Sequence, residues 1–412
     1  MHDLKVRAQP HSSMATKPSA QELVARARAL APTIRGAAQL TEQDRRVPVT
    51  TTKMLRDADL FRLMQPAQFG GFEYGFGTLI DIVAEVGAAC GSTAWCYGLG
   101  AVHQWLVGTF PSAAQQDVWG DNPQALVCGS YAPAGQVSRA SASEGYTIQG
   151  RWGFASNCQN SDWAMLGVIL PSEDETSQPE PGFLLVPKQD YEIEDTWFTV
   201  GLSGTGSNTI VVKEPLFVPG HRKLTFAQAS SGRPPGADAN TNPLYRIPFL
   251  SAIPVSIVSP AIGMVQGSLD EFVEWAGSRT TRGAVAGGGN PLAQFPQVQS
   301  RVAYASATLD AARLLLKRDV NEVESEVLKG HPISIDMRIR NRRDHAFVAK
   351  MLTQAANELF DAVGGAGLSL TNGIQRNWRD TNALARHISM NWDAVSSMYG
   401  QHRLGLVPKG QF

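Results

Sequence analysis

The chain has 412 residues, of which 43% are apolar, so it is long enough for two or three folded domains and too apolar to be disordered. Its 36 Lys and Arg residues balance 37 Asp and Glu residues, which gives no sign of nucleic acid or an acidic membrane as a partner. It contains no uninterrupted run of about 18 apolar residues and no signal-peptide core. We therefore expect a cytoplasmic protein without a membrane partner.

The first part of the chain reads as a tail followed by helices. Residues 1–18 are polar and unpatterned, and we predict a loose tail. A helical domain is predicted for 19–120, because Ser19 and Glu22 have capping-box spacing and apolar residues follow at helical intervals. Further helices are predicted from 52 to 64 and from 78 to 110.

The pattern changes at Gln124 from helical spacing to alternation. The stretch 136–152 predicts two strands joined by a hairpin at Glu144 and Gly145, and further alternating runs continue to about Pro219. We predict a β-domain over 121–229. The segment 230–243, rich in Gly, Pro and Asn, is predicted to be a mobile loop.

The last part, 244–412, is predicted to be a helical bundle. Apolar residues step alternately by four and three from Val298 to Leu316 and again from Val348 to Ala362, which is typical of helices packed nearly antiparallel. Pro296 suits the first turn of one helix, and Gly364 suits the end of the other. The whole chain is therefore predicted to have an α+β fold.

Several common sites are excluded by their missing motifs. There is no GxGxxG after a strand, no P-loop and no HExxH, which removes the Rossmann, P-loop NTPase and zinc-protease readings. The four cysteines lack CxxC spacing, so we predict buried, inert thiols and neither a metal site nor a disulfide framework: Cys90, Cys96, Cys128 and Cys158.

Four longer stretches carry a resemblance to a known family. WFTVGLSGTGSNTIVVKEPLFVP (197–219) and DAVGGAGLSLTNGIQRNWRD (361–380) resemble signatures of the acyl-CoA dehydrogenase fold. STAWCYGLGAVHQWLVGTFP (92–111) and GRWGFASNCQNSDW (150–163) resemble the oxygenase components of two-component flavin-dependent aromatic monooxygenases. The resemblance implies an N-terminal helical domain, a central β-barrel or sandwich and a C-terminal four-helix bundle.

The resemblance also implies an activity. Reduced flavin, FADH2 or FMNH2, would arrive as a diffusible cofactor from a separate NAD(P)H:flavin reductase. With O2 it would form a C4a-hydroperoxyflavin that hydroxylates or epoxidises a small aromatic of the phenol or indole type. Relatives of this kind imply a homotetramer. Two alternatives stay open: an acyl-CoA dehydrogenase-like flavoprotein with tightly bound FAD, and a non-catalytic flavin-binding protein.

The dehydrogenase alternative lacks its base. The family places a Glu in a C-terminal Tyr-Glu-Gly, whereas Tyr399 is followed directly by Gly400 here. Some relatives carry the Glu on an earlier helix, but the stretch from Ser251 has no carboxylate before Asp270. Removal of an α-proton from a thioester needs a carboxylate within reach.

An oxygen-loaded flavin requires a dry site, and the aromatic stretch 150–163 is suited to excluding water. By the resemblance, Ser156 is expected near flavin N5, with Trp152 and Asn157 lining the same wall. A hairpin whose aromatic side chains merely pack together remains the alternative.

Two further groups of residues are implied near the substrate and the flavin. Trp95 and His103 are eight residues apart on one predicted helix and therefore lie on nearly the same face. The resemblance places His103 against the substrate, where an imidazole would draw off the proton of a phenol but only orient an indole. It also places Ser130 and Tyr131 at the substrate edge, and His387 close to the flavin ring.

The remaining candidates concern anionic groups. By the resemblance, four residues would bind the phosphate or ribose groups of the flavin: Arg279, Gln299, Gln375 and Arg376. In relatives such contacts often cross a subunit boundary. Arg246 is a candidate for binding a substrate carboxylate, because a guanidinium removed from water needs an anion. No second Arg or Lys is close to it in sequence, so an anionic substrate is not inferred.

Overall fold

The computed structural model describes residues 17–140, 145–172, 178–281 and 289–412. Most of the predicted tail and Glu144 of the predicted hairpin turn lie outside this part of the chain. The described residues show the predicted order of helices, then strands, then helices, and the predicted α+β class is confirmed.

The N-terminal helices are α1 (Ala20–Gln43), α2 (Val49–Asp57), α3 (Phe76–Gly87), α4 (Gly91–Val107) and α5 (Ser112–Trp119). The capping box predicted at the start of α1 is present, since Ser19 and Glu22 bond each other's backbone N–H. The prediction of a single helix over 78–110 is wrong. It is broken between α3 and α4, where Cys90 adopts an extended backbone conformation. The helix predicted for 52–64 likewise ends with α2 and gives way to a short 3-10 turn.

The strands are β1 (Val127–Ser130), β2 (Gln136–Arg139), β3 (Gly145–Ala155), β4 (Trp163–Leu170), β5 (Glu180–Pro187), β6 (Glu192–Glu194), β7 (Asn208–Pro219) and β8 (Lys223–Thr225). They form two sheets of four strands, ordered β1-β4-β5-β8 and β2-β3-β7-β6. The pairing of β2 with β3 is antiparallel, as the predicted hairpin requires. An apolar core lies between the sheets and includes Trp152, Leu166 and Ile210.

The C-terminal helices are α6 (Phe226–Ser230), α7 (Phe249–Gly277), α8 (Pro296–Leu328), α9 (Ile335–Val363), α10 (Gly373–Leu384) and α11 (Trp392–Arg403). The two predicted seams are largely buried on α8 and α9. Helix α7 is long and apolar enough to span a membrane, with a mean hydropathy of 1.6, but 89% of its most apolar window is buried within the protein. It is therefore the central helix of the bundle.

The segment 230–243 packs against the N-terminal helices. Asn240 is buried, and its side-chain amide donates to Gly108 O and Gln115 Oε1. Short 3-10 turns occupy Pro235–Asp238 and Pro243–Arg246. The predicted cysteine environment is confirmed, because all four cysteines are buried and unpaired.

Candidate active site

Helix α4 positions the candidate site. Every one of its residues is buried, and it runs unbroken from Trp95 to His103, as predicted. An eight-residue separation on a helix is slightly more than two turns, or about 12 Å along the axis. Trp95 meets the β-domain loops and the bundle, whereas His103 meets strand β1.

Trp95 brings together two of the predicted catalytic residues. Its indole Nε1–H donates to Ser156 Oγ at 2.9 Å, and both side chains are buried. The ring of Trp95 also lies edge-on to the His387 ring, with 5.8 Å between the centroids. Ser156 from the β-domain and His387 from the bundle thus both contact one tryptophan.

Ser156 begins a chain of three hydroxyl groups. Its Oγ lies 2.7 Å from Ser207 Oγ, which lies 2.7 Å from Thr205 Oγ1. Thr205 in turn donates to the backbone carbonyl of Leu202 at 2.8 Å. A hydroxyl has one proton to donate and two lone pairs to accept with.

The carbonyl at the end of this chain fixes the direction of every bond in it. Because Thr205 donates to the carbonyl, Ser207 must donate to Thr205, and Ser156 must donate to Ser207. Ser156 also accepts from Trp95, which leaves it with one free lone pair and no free proton. It therefore offers an incoming ligand an acceptor.

His387 offers the complementary group. Its Nδ1 accepts the backbone N–H of Ser389 at 3.1 Å. Burial, with a contribution from the nearby Arg342 guanidinium, lowers the pKa of His387 to about 4, so the ring is neutral at pH 7. With Nδ1 accepting, the single proton is on Nε2, and His387 is a hydrogen-bond donor.

His103 is neutral with the opposite tautomer. Its Nδ1–H donates to Val127 O at 2.6 Å, and burial lowers its pKa to about 4, partly offset by this hydrogen bond. Its Nε2 makes no hydrogen bond with a described residue. This nitrogen of a buried residue is therefore a free acceptor.

Tyr131 provides a free donor beside that acceptor. Its ring is edge-on to His103, with 5.7 Å between the centroids. Its hydroxyl is buried and has no hydrogen-bond partner among the described residues. Burial raises the pKa of Tyr131, which keeps the hydroxyl protonated. A buried polar group without a partner costs free energy, so this pair is suited to a ligand that both donates and accepts.

Strand β1 lies directly against this pair. A Cβ at Gly129 would lie 2.8 Å from Tyr131 Cε1 and 3.1 Å from His103 Nε2, so only glycine leaves both rings in place. The predicted Ser130 is buried, and its hydroxyl donates to Gly153 O at 2.7 Å. Ser130 therefore joins β1 to β3, the strand that leads to Ser156.

The end of β3 separates its aromatic residues. A bulge between Trp152 and Ala155 breaks the alternation of the strand, and Phe154 has a φ of 61°. Trp152 is consequently buried between the sheets, with its indole N–H donating to Gly167 O, and Phe154 is 76% exposed. The resemblance placed Trp152 on the flavin wall, but the exposed ring at this end of β3 is that of Phe154, which lies edge-on to Trp197 at 5.7 Å between centroids.

Asn157 follows Ser156 in a left-handed conformation, with a φ of 59°. Its backbone N–H donates to Thr205 O, and its side-chain oxygen accepts from Asn160. Asn157 therefore fixes the loop that carries Ser156 against the loop that carries Ser207.

The four residues predicted to bind flavin phosphate or ribose lie in two regions away from Ser156 and His103. Arg279 and Gln299 are exposed, near the end of α7 and the start of α8. Gln375 is buried on α10, and Arg376 donates to Glu42 at 2.9 Å. None of these four contacts Ser156 or His103 in the described part of this single subunit.

Arg246 lies apart from the predicted catalytic residues. It is exposed rather than removed from water, and it lines a cavity of about 390 Å³ between the 231–248 segment and the turn joining α8 to α9. His103, Ser156 and His387 do not line this cavity. The structure therefore does not bring Arg246 together with His103.

The groups around Ser156 fit a reduced flavin. A reduced isoalloxazine carries an N–H at N5, which matches the free lone pair of Ser156, and the exposed Phe154 ring and the half-buried Trp197 ring offer apolar surface beside it. The chemistry that a reduced flavin supplies is a pair of electrons for the activation of O2.

Three contributing residues were missed from the sequence. Ser207 and Thr205 lie within the quoted stretch SGTGSN, whose hydroxyl side chains were a signal, but only the fold shows that they reach Ser156. Phe249 packs against Tyr131 at 5.6 Å, and nothing in its local sequence indicated that contact.

Comparisons with known proteins agree with the fold described above. Residues 17–121 match the family model described as acyl-CoA dehydrogenase, N-terminal domain, and residues 255–392 match acyl-CoA dehydrogenase, C-terminal domain. The FADH(2)-dependent resorcinol hydroxylase, oxygenase component, of Rhizobium sp. (strain MTP-10005) is 45% identical over 418 residues, which cover 100% of both chains.

Two solved structures have the same fold over nearly their whole length. The 3-HSA hydroxylase from Rhodococcus sp. RHA1 is 35% identical with a TM-score of 0.88, covering 94% of this chain and 98% of that one. XiaF from Streptomyces sp., in complex with FADH2 and glycerol, is 28% identical with a TM-score of 0.86, covering 95% and 97%. The predicted family and enzyme class are thereby confirmed: the chain belongs to the oxygenase components of flavin-dependent monooxygenases, which have the acyl-CoA dehydrogenase fold.

Proposed function

We propose that the chain hydroxylates a phenol-type aromatic, whose hydroxyl group is bound by His103 and Tyr131. The observation that carries the proposal is the buried pair of a free acceptor, His103 Nε2, and a free donor, Tyr131 Oη. A phenol hydroxyl donates to the first and accepts from the second. An indole N–H satisfies only His103 and leaves the tyrosine hydroxyl without a partner, so phenols are favoured over indoles.

His103 is suited to activating such a ring. It is neutral, and its Nε2 accepts the phenol proton, which increases the electron density of the ring at the positions next to the hydroxyl. The bond from Nδ1 to Val127 O holds the ring in this tautomer and steadies the positive charge that proton transfer would create. One oxygen atom of O2 enters the ring and the other leaves as water.

The cofactor in this proposal is a diffusible reduced flavin. Ser156 would accept from its N5–H, His387 would donate from Nε2, and Phe154 would cover part of the ring. Asn157 and the buried Trp152 would support this wall from behind. Arg279, Gln299, Gln375 and Arg376 remain proposed for the phosphate and ribose groups, with the first two reached from a neighbouring subunit.

The proposal includes a separate NAD(P)H:flavin reductase, a homotetramer and a cytoplasmic location. The name of the Rhizobium relative, an oxygenase component, supports the reductase. Large apolar side chains that are exposed in the single chain support assembly with further copies: Leu368, Leu370, Ile388, Leu404 and Val407. The same relative's substrate, a dihydroxybenzene by name, supports a phenol.

The test is hydroxylation by flavin-reconstituted protein. Photoreduced FAD or FMN is mixed anaerobically with the protein, oxygenated buffer is added, and products from resorcinol, other phenols and indole are quantified. We expect phenols to be hydroxylated and indole to react poorly. Products from indole alone would contradict the proposed substrate class, and the absence of any oxygenated product would contradict the activity.

Tyr131→Phe tests the proposed contact, with Tyr191→Phe as a matched control. Both hydroxyls are buried with no hydrogen-bond partner among the described residues, but Tyr191 lies in the β-domain core. Loss of one hydrogen bond worth about 1 kcal/mol raises the KM for the phenol about fivefold in Tyr131→Phe. An equal KM in the two variants would refute the role of Tyr131.

A further inference from the structure

A second site is indicated by the cavity that contains Arg246. The cavity has a volume of about 390 Å³, within the range of small-molecule sites, and opens between the 231–248 segment and the turn that joins α8 to α9. Its charged and titratable lining residues are Arg233, Asp238, Arg246, His331 and Arg338. Three arginines therefore face one cavity together with a single carboxylate.

The carboxylates near this cavity are already engaged with other groups. Asp238 pairs with Arg233 at 3.3 Å, and Glu326 accepts from both His331 and Lys329. Arg246 makes no hydrogen bond or ion pair with a described residue. Arg338 donates only to backbone carbonyls, Ile333 O at 3.1 Å and Ser230 O at 3.4 Å. Two positive charges of the lining thus lack a counter-ion.

The positive charge of Arg338 is the less favourable of the two, because this side chain is partly removed from water. Its side chain is partly buried, and burial without a carboxylate partner lowers its pKa. Its two carbonyl contacts come from the turn between α8 and α9 and from the end of α6, and they hold the planar guanidinium in place. A guanidinium held in this way is suited to paired hydrogen bonds with a carboxylate or phosphate.

We infer that this cavity binds the carboxylate or phosphate group of a small molecule, with Arg246 and Arg338 as its two ligands. The inference goes beyond the proposed function, because it requires neither flavin nor hydroxylation. The cavity shares no lining residue with His103, Tyr131, Ser156 or His387. Pro248 lines it, and the next residue in the chain, Phe249, packs against Tyr131. The cavity is therefore linked to the aromatic residues around Tyr131 through the backbone at Pro248 and Phe249.

Isothermal titration of the flavin-free protein tests the site directly. Inorganic phosphate and benzoate are titrated separately, and benzoate is then titrated in the presence of saturating phosphate. We expect saturable binding of at least one of the two anions. If both bind and compete, the site recognises the oxyanion itself. If one binds, it identifies the preferred oxyanion. Saturable binding of neither anion would overturn the inference.

Variants assign the binding to the two arginines. Arg246→Gln and Arg338→Gln should each raise the Kd of the anion about tenfold, the loss typical of one charge-assisted contact. Arg233→Gln is the matched control, since this exposed arginine is paired with Asp238, and its Kd should stay within about twofold of the parent. Arg246 is exposed, so Arg246→Gln should melt like the parent even if Arg338→Gln does not fold. An unchanged Kd in a folded Arg246→Gln variant would refute the assignment.

Discussion

The direction of the hydroxyl chain at Ser156 makes a prediction about flavin redox state. In the parent, Ser156 donates to Ser207 and can only accept from a ligand. Oxidised flavin has an acceptor at N5, whereas reduced flavin has a donor there. The parent should therefore bind reduced flavin more tightly. Ser207→Ala removes the acceptor of the Ser156 proton and allows Ser156 to donate to oxidised flavin.

The size of the effect follows from one hydrogen bond. A neutral hydrogen bond contributes about 0.5–1.5 kcal/mol, so the ratio of the Kd for oxidised flavin to the Kd for reduced flavin should fall by a factor of about 2 to 13 in Ser207→Ala. Thr205→Val removes the fixed donor at the far end of the chain, which lets Ser207 reverse, and should lower the ratio in the same direction.

The assay is anaerobic fluorescence titration of each variant with oxidised and with dithionite-reduced FAD or FMN. Ser161→Ala is the control. It also removes a buried hydroxyl from the same region, but one that donates to Asn157 O and lies outside the chain. If Ser207→Ala and Ser161→Ala gave the parent's ratio while Ser156→Ala altered it, Ser156 would contact flavin without being oriented by Ser207.

Two further predictions concern the substrate side. His103 has a pKa of about 4 in the folded protein against 6.5 as its ordinary value, so the unfolded chain binds more protons below pH 6.5 and stability falls as the pH falls. At pH 5 this lowers the free energy of unfolding by about 2 kcal/mol. Urea unfolding should therefore show that the free energy of unfolding of His103→Gln falls less between pH 7.5 and pH 5 than that of the parent, by about this amount. An identical fall in the two proteins would contradict the assignment of His103 as neutral. Gly129→Ala would place a methyl group 2.8 Å from Tyr131. This variant should raise the KM for the phenol more than about tenfold and leave the Kd for reduced flavin unchanged. An unchanged KM would show that the His103 and Tyr131 rings can shift apart.

Regular periodicity made the long elements predictable from sequence. The alternating runs predicted strands as far as Pro219, where β7 ends, and the two seams predicted helices at α8 and α9. Strands β6 and β8 have three residues each, which is too short for a period to be recognised. The break at Cys90 was missed because apolar helical spacing continues on both sides of it, and only the backbone reveals the interruption.

The candidate site was predictable in part. The spacing of Trp95 and His103 on one helix was readable, because helix geometry is local. The bulge before Ala155 was not, and it reverses which aromatic residue is exposed. The partnership of Ser156 with Ser207 joins residues 51 positions apart through the packing of two loops, which no local pattern encodes.

The hydrogen-bond acceptors near the two ends of helix α4 are oriented without a charged side chain. At one end, the carbonyl of Leu202 orders a hydroxyl chain so that Ser156 can only accept. At the other, the carbonyl of Val127 holds His103 so that its Nε2 can only accept. Backbone carbonyls do not titrate, the pKa of His103 lies near 4, and the pKa of the Tyr131 donor is raised. The protonation states of the two acceptors and of the Tyr131 donor therefore do not change between about pH 5 and 9. Any pH dependence of substrate binding in that range should therefore follow the ionisation of the phenol itself, and phenols of different acidity should shift the profile in parallel with their own pKa.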